Sequence, residues 1–167
     1  MRPTVRPATL GDTSAVVAVH EEAWDATLGG LIGRPLEQLA PRADRVKRMR
    51  QGLEHLPDDA AVLVAERGGA IVGMGVVRQP VGEPGDVRDL YVVPAAWGSG
   101  AAAALLDEML AWLRRRDAPS AGLWVVADNL RARRFYEREG WTPDGEERVT
   151  ELGPAEVHYR RDRGVSA

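Results

Sequence analysis

The residues whose types and spacing could do chemistry begin at Val92-Val93-Pro94-Ala95-Ala96-Trp97-Gly98-Ser99-Gly100-Ala101-Ala102. The string reads as the end of a strand, a turn with two glycines and the start of an alanine-rich helix. A helix N-terminus presents unpaired N–H groups and the positive end of its dipole, and glycines let an anion approach that backbone. The segment therefore reads as a phosphate cradle, and Ala101 to Ala104 add no bulk against it. The same residues also read as a plain strand-to-helix turn, since a lone G-x-G is a weak signal. A Walker-type G-x-x-x-x-G-K-[ST] string is absent. Gly98 to Ala103 does match the dinucleotide pattern G-x-G-x-x-A, with Asp128 at the end of the next strand. Against it, Pro94 to Trp97 separate the glycines from the strand, and too little chain follows Asp128 for a doubly wound sheet.

The elements that must position these residues follow from periodicity and punctuation. Thr4 to Ala8 is extended, and Asp12 or Thr13 caps a helix carrying Val16, Val17, Val19, Ala23 and Trp24 at helical spacing. Gly29 to Pro35 interrupts it. Leu36 to Leu53 reads as one second helix ending near Gly52. Ala61 to Arg67 and Ala70 to Arg78 form a hairpin about Gly68-Gly69, and Pro80 to Pro84 is a loop. Val87 to Val93 is a strand, and Gly98 to Arg116 a helix with Leu105, Leu106, Met109, Leu110 and Leu113 on one stripe. The apolar run from Gly122 to Val126 suits a strand buried on both faces and parallel to its predecessor. A helix starts at Asp128 or Asn129 and ends at Gly140, and Trp141 to Pro143 and Ala155 to Arg161 are the last strands. The order β-α-α-β-β-β-α-β-α-β-β predicts a mixed α/β sheet, antiparallel at first and then joined to a β-α-β crossover.

Composition bounds the possibilities. The chain has 167 residues, enough for one core, so one domain over residues 1–163 with a short tail at 164–167 is expected. No apolar run approaches the roughly 20 residues of a membrane span. The N-terminal residues lack the apolar stretch of a signal peptide, so a cytoplasmic protein is expected. There is no cysteine, which excludes disulfides, thiolate metal sites and cysteine nucleophiles. His20, His55 and His158 lack metal-ligand spacing, so no metal is expected. With 22 Lys+Arg against 25 Asp+Glu the net charge is −3, which argues against nucleic acid as a partner.

The first string, with Asn129-Leu130-Arg131-Ala132-Arg133-Arg134-Phe135-Tyr136 running on to Gly140-Trp141, resembles the GCN5-related N-acetyltransferase (GNAT) superfamily over essentially the whole chain. The shared patterns are V-x-P-x-x-(Gln/Arg)-G-x-G-x-(Gly/Ala) and N-x-x-A-x-x-F-Y-x-x-x-G-(Phe/Trp). The resemblance implies a single α+β domain with a mostly antiparallel six- to seven-stranded sheet, a central β-α-β crossover and flanking helices. It implies an N-acetyltransferase moving the acetyl group of acetyl-CoA to a small-molecule or peptide amine by direct attack in a ternary complex. A non-catalytic acyl-CoA-binding domain and a dinucleotide-binding protein are the alternative readings. The resemblance places the pyrophosphate on the backbone of Gly98, Ser99, Gly100, Ala101, Ala102 and Ala103, and the pantetheine arm along Leu90, Tyr91 and Val92. It also places the acetyl carbonyl near Asn129 and Tyr136. Asn129, Ala132 and Tyr136 share one helical face by spacing, with Phe135 turned to the core. Trp97 departs from the pattern, which has Gln or Arg there, so the turn lacks its cation; the indole reads as a cover on the turn.

Acetyl transfer needs a neutral amine and a proton for the departing thiolate. By its place in the second pattern Tyr136 is the general acid, since a phenol of pKa about 10 is protonated at neutral pH. Alignment with the family names Asp86 as the base and Asp89 as the second candidate, on the opposite face by strand alternation. Glu21, Trp24, Asp25 and His158, with Glu22, Glu156 and Tyr159 beside them, are candidates for holding a cationic amine, or else an exposed helix face. Arg131, Arg133, Arg134 and Arg138 could meet the cofactor's 3′-phosphate or form a solvated face. A homodimer is compatible with the sequence.

Overall fold

Small and branched apolar residues mark the central strands of the chain, β2 (Ala60–Arg67), β3 (Ala70–Arg78), β4 (Gly85–Val92) and β5 (Ser120–Val126), which are joined by the more polar β1 (Thr4–Pro7), β6 (Thr142–Val149) and β7 (Ala155–Asp162). The computed structural model describes residues 2–151 and 153–162. The tail at 164–167 lies outside the described residues. The helices are α1 (Thr13–Ala26), α2 (Leu28–Ile32), α3 (Leu36–Leu39), α4 (Arg42–Glu54), α5 (Ala101–Arg115) and α6 (Leu130–Arg138). Among the described residues no helix is long and apolar enough to cross a membrane.

Among the described residues these strands form one sheet in the order β1-β2-β3-β4-β5-β7-β6, in which only β4 and β5 pair in parallel. That parallel pair requires a crossover, and α5 supplies it. The order is not that of a doubly wound nucleotide fold, whose sheet is mostly parallel. Side chains alternate across the sheet. One face packs Val77, Val87 and Leu123 against Leu105, Leu106, Met109 and Leu113 of α5, while the other packs Val64 and Met74 against Val16 and Val19 of α1.

Four expectations need correction. The single helix over Leu36 to Leu53 is two helices, because Pro41 lacks an N–H and forces Ala40 into an extended conformation (φ −152°, ψ 106°). The second of them continues past Gly52 to Glu54, and a short helix, α2, forms inside the interruption expected from Gly29 to Pro35. The strand expected at Trp141 to Pro143 is the eight-residue β6, exposed along its length at the edge of the sheet, where polar residues hide its strand character.

Candidate active site

β4 and β5 pair only at Gly85 with Ala121 and Asp86 with Gly122, and then diverge. Two cavities open on either side of that splay, of about 820 Å³ and about 500 Å³. Both are lined by Leu90, Tyr91, Asn129, Ala132 and Tyr136, so they meet at one point between the strands. The face expected of Asn129, Ala132 and Tyr136 is the one α6 presents there.

The smaller cavity runs past Leu90, Tyr91 and Val92 to the turn before α5. Gly98 (φ 75°) and Gly100 (φ 86°) both adopt the left-handed conformation, which side chains resist. α5 starts at Ala101 rather than Gly98, because these two residues form the turn that leads into it. The N–H groups of Gly98, Gly100, Ala102 and Ala103 have no acceptor among the described residues. Ala101 to Ala103 line the cavity without bulk, so the turn fits a phosphate group. Ser99 is the exception in the expected set. Its Oγ accepts the Ala101 N–H at 3.3 Å and so braces the turn, and the residue does not line the cavity. Trp97 is 38% exposed. Its Nε1 donates to the carbonyl of Val92 at 2.9 Å, and the guanidinium of Arg131 lies 3.4 Å from its ring centroid. Phe135 lines this cavity as well as packing on the core.

At the meeting point Tyr136 is buried, edge-on to Phe135 with centroids 5.2 Å apart. Its hydroxyl has no hydrogen-bond partner among the described residues, and the residue lines both cavities. Burial, reinforced by the charge of Asp89, pushes the phenol well above its ordinary range, so it stays protonated. Asn129 caps α6, its Oδ1 accepting the Ala132 N–H at 3.2 Å.

The expectation that Asp86 and Asp89 lie on opposite faces is overturned. Val76 pairs with Asp89 and Val77 with Val87, leaving Arg88 as an extra, bulged residue. The bulge shifts the alternation by one, and both carboxylates line the larger cavity. Asp89 has no hydrogen bond or ion pair among the described residues, and burial raises its pKa against the pull of Arg88, with Asp86 raising it further. Asp86 lies 3.6 Å from Arg88 with 47% of its side chain exposed. Burial raises its pKa too, opposed by Arg88 first.

The larger cavity takes in some of the expected acceptor residues and leaves others out. Trp24, His158 and Glu156 line it. Glu21 does not: it bridges α1 to α4 through Arg42 at 2.7 Å and Arg45 at 3.0 Å. Asp25 caps α3, its Oδ1 accepting the Leu36 N–H at 2.8 Å. Tyr159 is fully buried, its hydroxyl bonded to Glu137 and Arg133. Glu22 is exposed and lines neither cavity. Sequence reasoning missed Asp144, which pairs with His158 Nδ1, and Arg148, which lies 4.3 Å from the Trp124 ring. Both come from β6, whose polar sequence gave no strand signal to find them by.

Residues 16–141 match the model of the family described as the acetyltransferase (GNAT) family. A mycothiol acetyltransferase of Parafrankia sp. is 34% identical over 178 residues, covering 96% of this chain and 52% of that protein. The chain thus spans about half the length of that relative. An uncharacterized N-acetyltransferase of Mycobacterium tuberculosis is 32% identical over 127 residues, covering 75% of this chain and 79% of that one. Among solved structures, the PaiA N-acetyltransferase of Thermoplasma acidophilum, in complex with coenzyme A, superposes with a TM-score of 0.76 over 98% of this chain and 100% of that chain, at 16% identity.

Proposed function

The chain belongs to the acetyltransferase (GNAT) family, and from that premise we propose that it transfers the acetyl group of acetyl-CoA to a primary amine, donor and acceptor meeting in one ternary complex. The observation that carries this reading is the junction of two cavities at Tyr136, one ending at a phosphate-accepting turn and the other bearing two carboxylates. Acetyl-CoA supplies the activated acyl thioester. Gly98, Gly100, Ala102 and Ala103 offer backbone donors to its pyrophosphate, and the edge of β4 beyond Asp86, released from β5, offers Leu90, Tyr91 and Val92 to the pantetheine arm as an added strand would pair.

The chain's own groups supply the proton traffic. Asp89, unpaired in the larger cavity and next in sequence to Leu90 at the junction, accepts a proton from the entering ammonium so that the amine attacks neutral, and Asp86 attracts the same cation nearer solvent. Tyr136 carries the proton that a departing thiolate needs. With no cysteine in the chain, direct attack is favoured over an acyl-enzyme on sulfur. The acceptor is a small-molecule amine or a peptide N-terminal or lysine amine.

The test is thiol release from acetyl-CoA across a panel of polyamines, aminoglycosides, amino acids and peptides, with calorimetric titration of CoA and NAD in parallel. Acceptor-dependent thiol release with CoA binding is expected. CoA binding without turnover on any amine would leave a binding domain in place of an enzyme, and NAD binding without CoA binding would sink the cofactor assignment.

A further inference from the structure

The turn before α5 offers donors without a charge, although a pyrophosphate carries two. The residue directly ahead of the glycines is an indole, and the nearest cation comes from a different element. Arg131, in the first turn of α6, lays its guanidinium 3.4 Å from the centroid of Trp97. This is the shortest cation-to-ring distance among the described residues, the others running from 4.3 Å for Arg148 on Trp124 to 5.7 Å for Arg138 on Phe135. The ring beneath it is fixed in turn, because Trp97 Nε1 donates to the last residue of β4.

The charge environment agrees. Among the described residues, the charged side chains lining the smaller cavity are Arg131 and Arg138, both cations. The carboxylates at the splay line the larger one. Arg138 has Glu139 at 3.8 Å, and Arg133 is turned inward to Tyr159 Oη and the carbonyl of Ala127. Arg131 has no carboxylate partner among the described residues. An arginine stacked on an aromatic face keeps its N–H edge free, and the stack removes rotamer freedom before any ligand arrives.

We propose that Arg131, held on Trp97, is the cation that binds the cofactor's pyrophosphate over the Gly98–Gly100 turn, and that Trp97 is the platform that positions it. The assignment rests on the acetyl-CoA reading above. It replaces the solvated-face reading of Arg131 and accounts for the unusual tryptophan, since the turn carries no cation of its own and borrows one from α6. The platform and the turn are consecutive in sequence, so the guanidinium is fixed beside the same N–H groups that meet the phosphates.

The experiment is calorimetric titration at fixed ionic strength with CoA, 3′-dephospho-CoA and pantetheine, on the unaltered chain and on Arg131→Ala, Arg131→Lys, Trp97→Phe, Trp97→Ala and the double Arg131→Ala/Trp97→Ala variant. Arg131→Ala is expected to weaken CoA and dephospho-CoA alike, by about 10- to 100-fold as for other charge-assisted hydrogen bonds, and to leave pantetheine unchanged. Trp97→Ala should reproduce most of that loss, with the double variant no weaker than Arg131→Ala alone, since the two act as one unit. Arg131→Lys should fall between, and Trp97→Phe, which keeps a ring and guards against a misfolded Trp97→Ala, should keep most of the affinity. Arg131→Ala binding CoA as tightly as the unaltered chain would overturn the assignment, and so would a loss that disappears with dephospho-CoA, which would move the arginine to the 3′-phosphate. Absence of CoA binding by the unaltered chain would remove the underlying reading as well, a result distinct from a silent Arg131→Ala.

Discussion

Tyr136→Phe deletes one oxygen and keeps the ring that packs edge-on against Phe135 and Trp141, with centroids at 5.2 Å and 6.1 Å. The hydroxyl has no partner among the described residues, so no protein hydrogen bond is lost, and the stability change is expected below about 1 kcal/mol. Positioned proton donation contributes roughly 100- to 10,000-fold to rate, or about 3 to 5 kcal/mol of barrier. A fall in kcat of that size with unaltered melting and unaltered CoA affinity is expected. The discriminating assay varies the leaving group. With an acetyl thioester of a much more acidic thiol, the departing thiolate needs little protonation, and the defect of the variant should shrink toward unity. A kcat within about twofold of that of the unaltered chain on acetyl-CoA, against the expected range, would refute the general-acid role. An equal defect on both thioesters would instead mark the hydroxyl as a positioning group.

Asp89 must be ionised to accept a proton, and its pKa is raised chiefly by burial, so kcat/KM should fall as pH drops through that raised value; Asp89→Asn should abolish this acid limb and cost roughly 100-fold or more in a pH–rate profile. His20 is held near pKa 4, mainly by burial and then by the charge of Arg45, below its ordinary 6.5. Its neutral form therefore contributes stability that is complete above about pH 6.5 and is lost as pH falls toward 4. The loss should reach about 3 kcal/mol in denaturant titrations, and His20→Gln should flatten that pH dependence. Gly122→Ala would place a Cβ 2.6 Å from His158 Nε2. The imidazole must then shift in its place between Trp124 and Asp144, which is expected to cost about 1 to 3 kcal/mol of stability, and acceptor KM should rise while CoA affinity, measured by titration, stays unchanged.

Much of the geometry of the candidate site was legible because its signals are local. The two glycines, the three alanines and the Asn129-to-Tyr136 helix act through turn chemistry and helical spacing, which short strings encode. What the sequence hid depends on register and tertiary approach. Alternation put Asp89 on the wrong face because a bulge at Arg88 adds a residue without changing composition. Glu21 and Asp25 have the charge expected of acceptor residues, but their partners, Arg45 and the Leu36 N–H, lie far enough along the chain that only the folded structure joins them. Pro41, by contrast, was a readable stop inside the expected Leu36 to Leu53 helix, and the apolar spacing on both sides of it concealed the break. Trp97 and Arg131 each stood out in the sequence, but they belong to different elements and no periodicity brings them together.

The bulge links the two halves of the site. A bulge bends its strand and increases local twist, and in β4 it falls two residues after the last pairing with β5. The same extra residue thus accompanies the splay and turns Asp89 toward the cavity beside Asp86. A regular alternation along β4 would carry Asp89 to the α5 face, where an unpaired carboxylate would sit against the apolar core at the full cost of a buried charge. On the proposed reading, one irregularity in the backbone would serve both substrates: it would leave a strand edge open to the extended arm of the donor, and it sets Asp89 on the same face as Asp86, where the acceptor amine would enter.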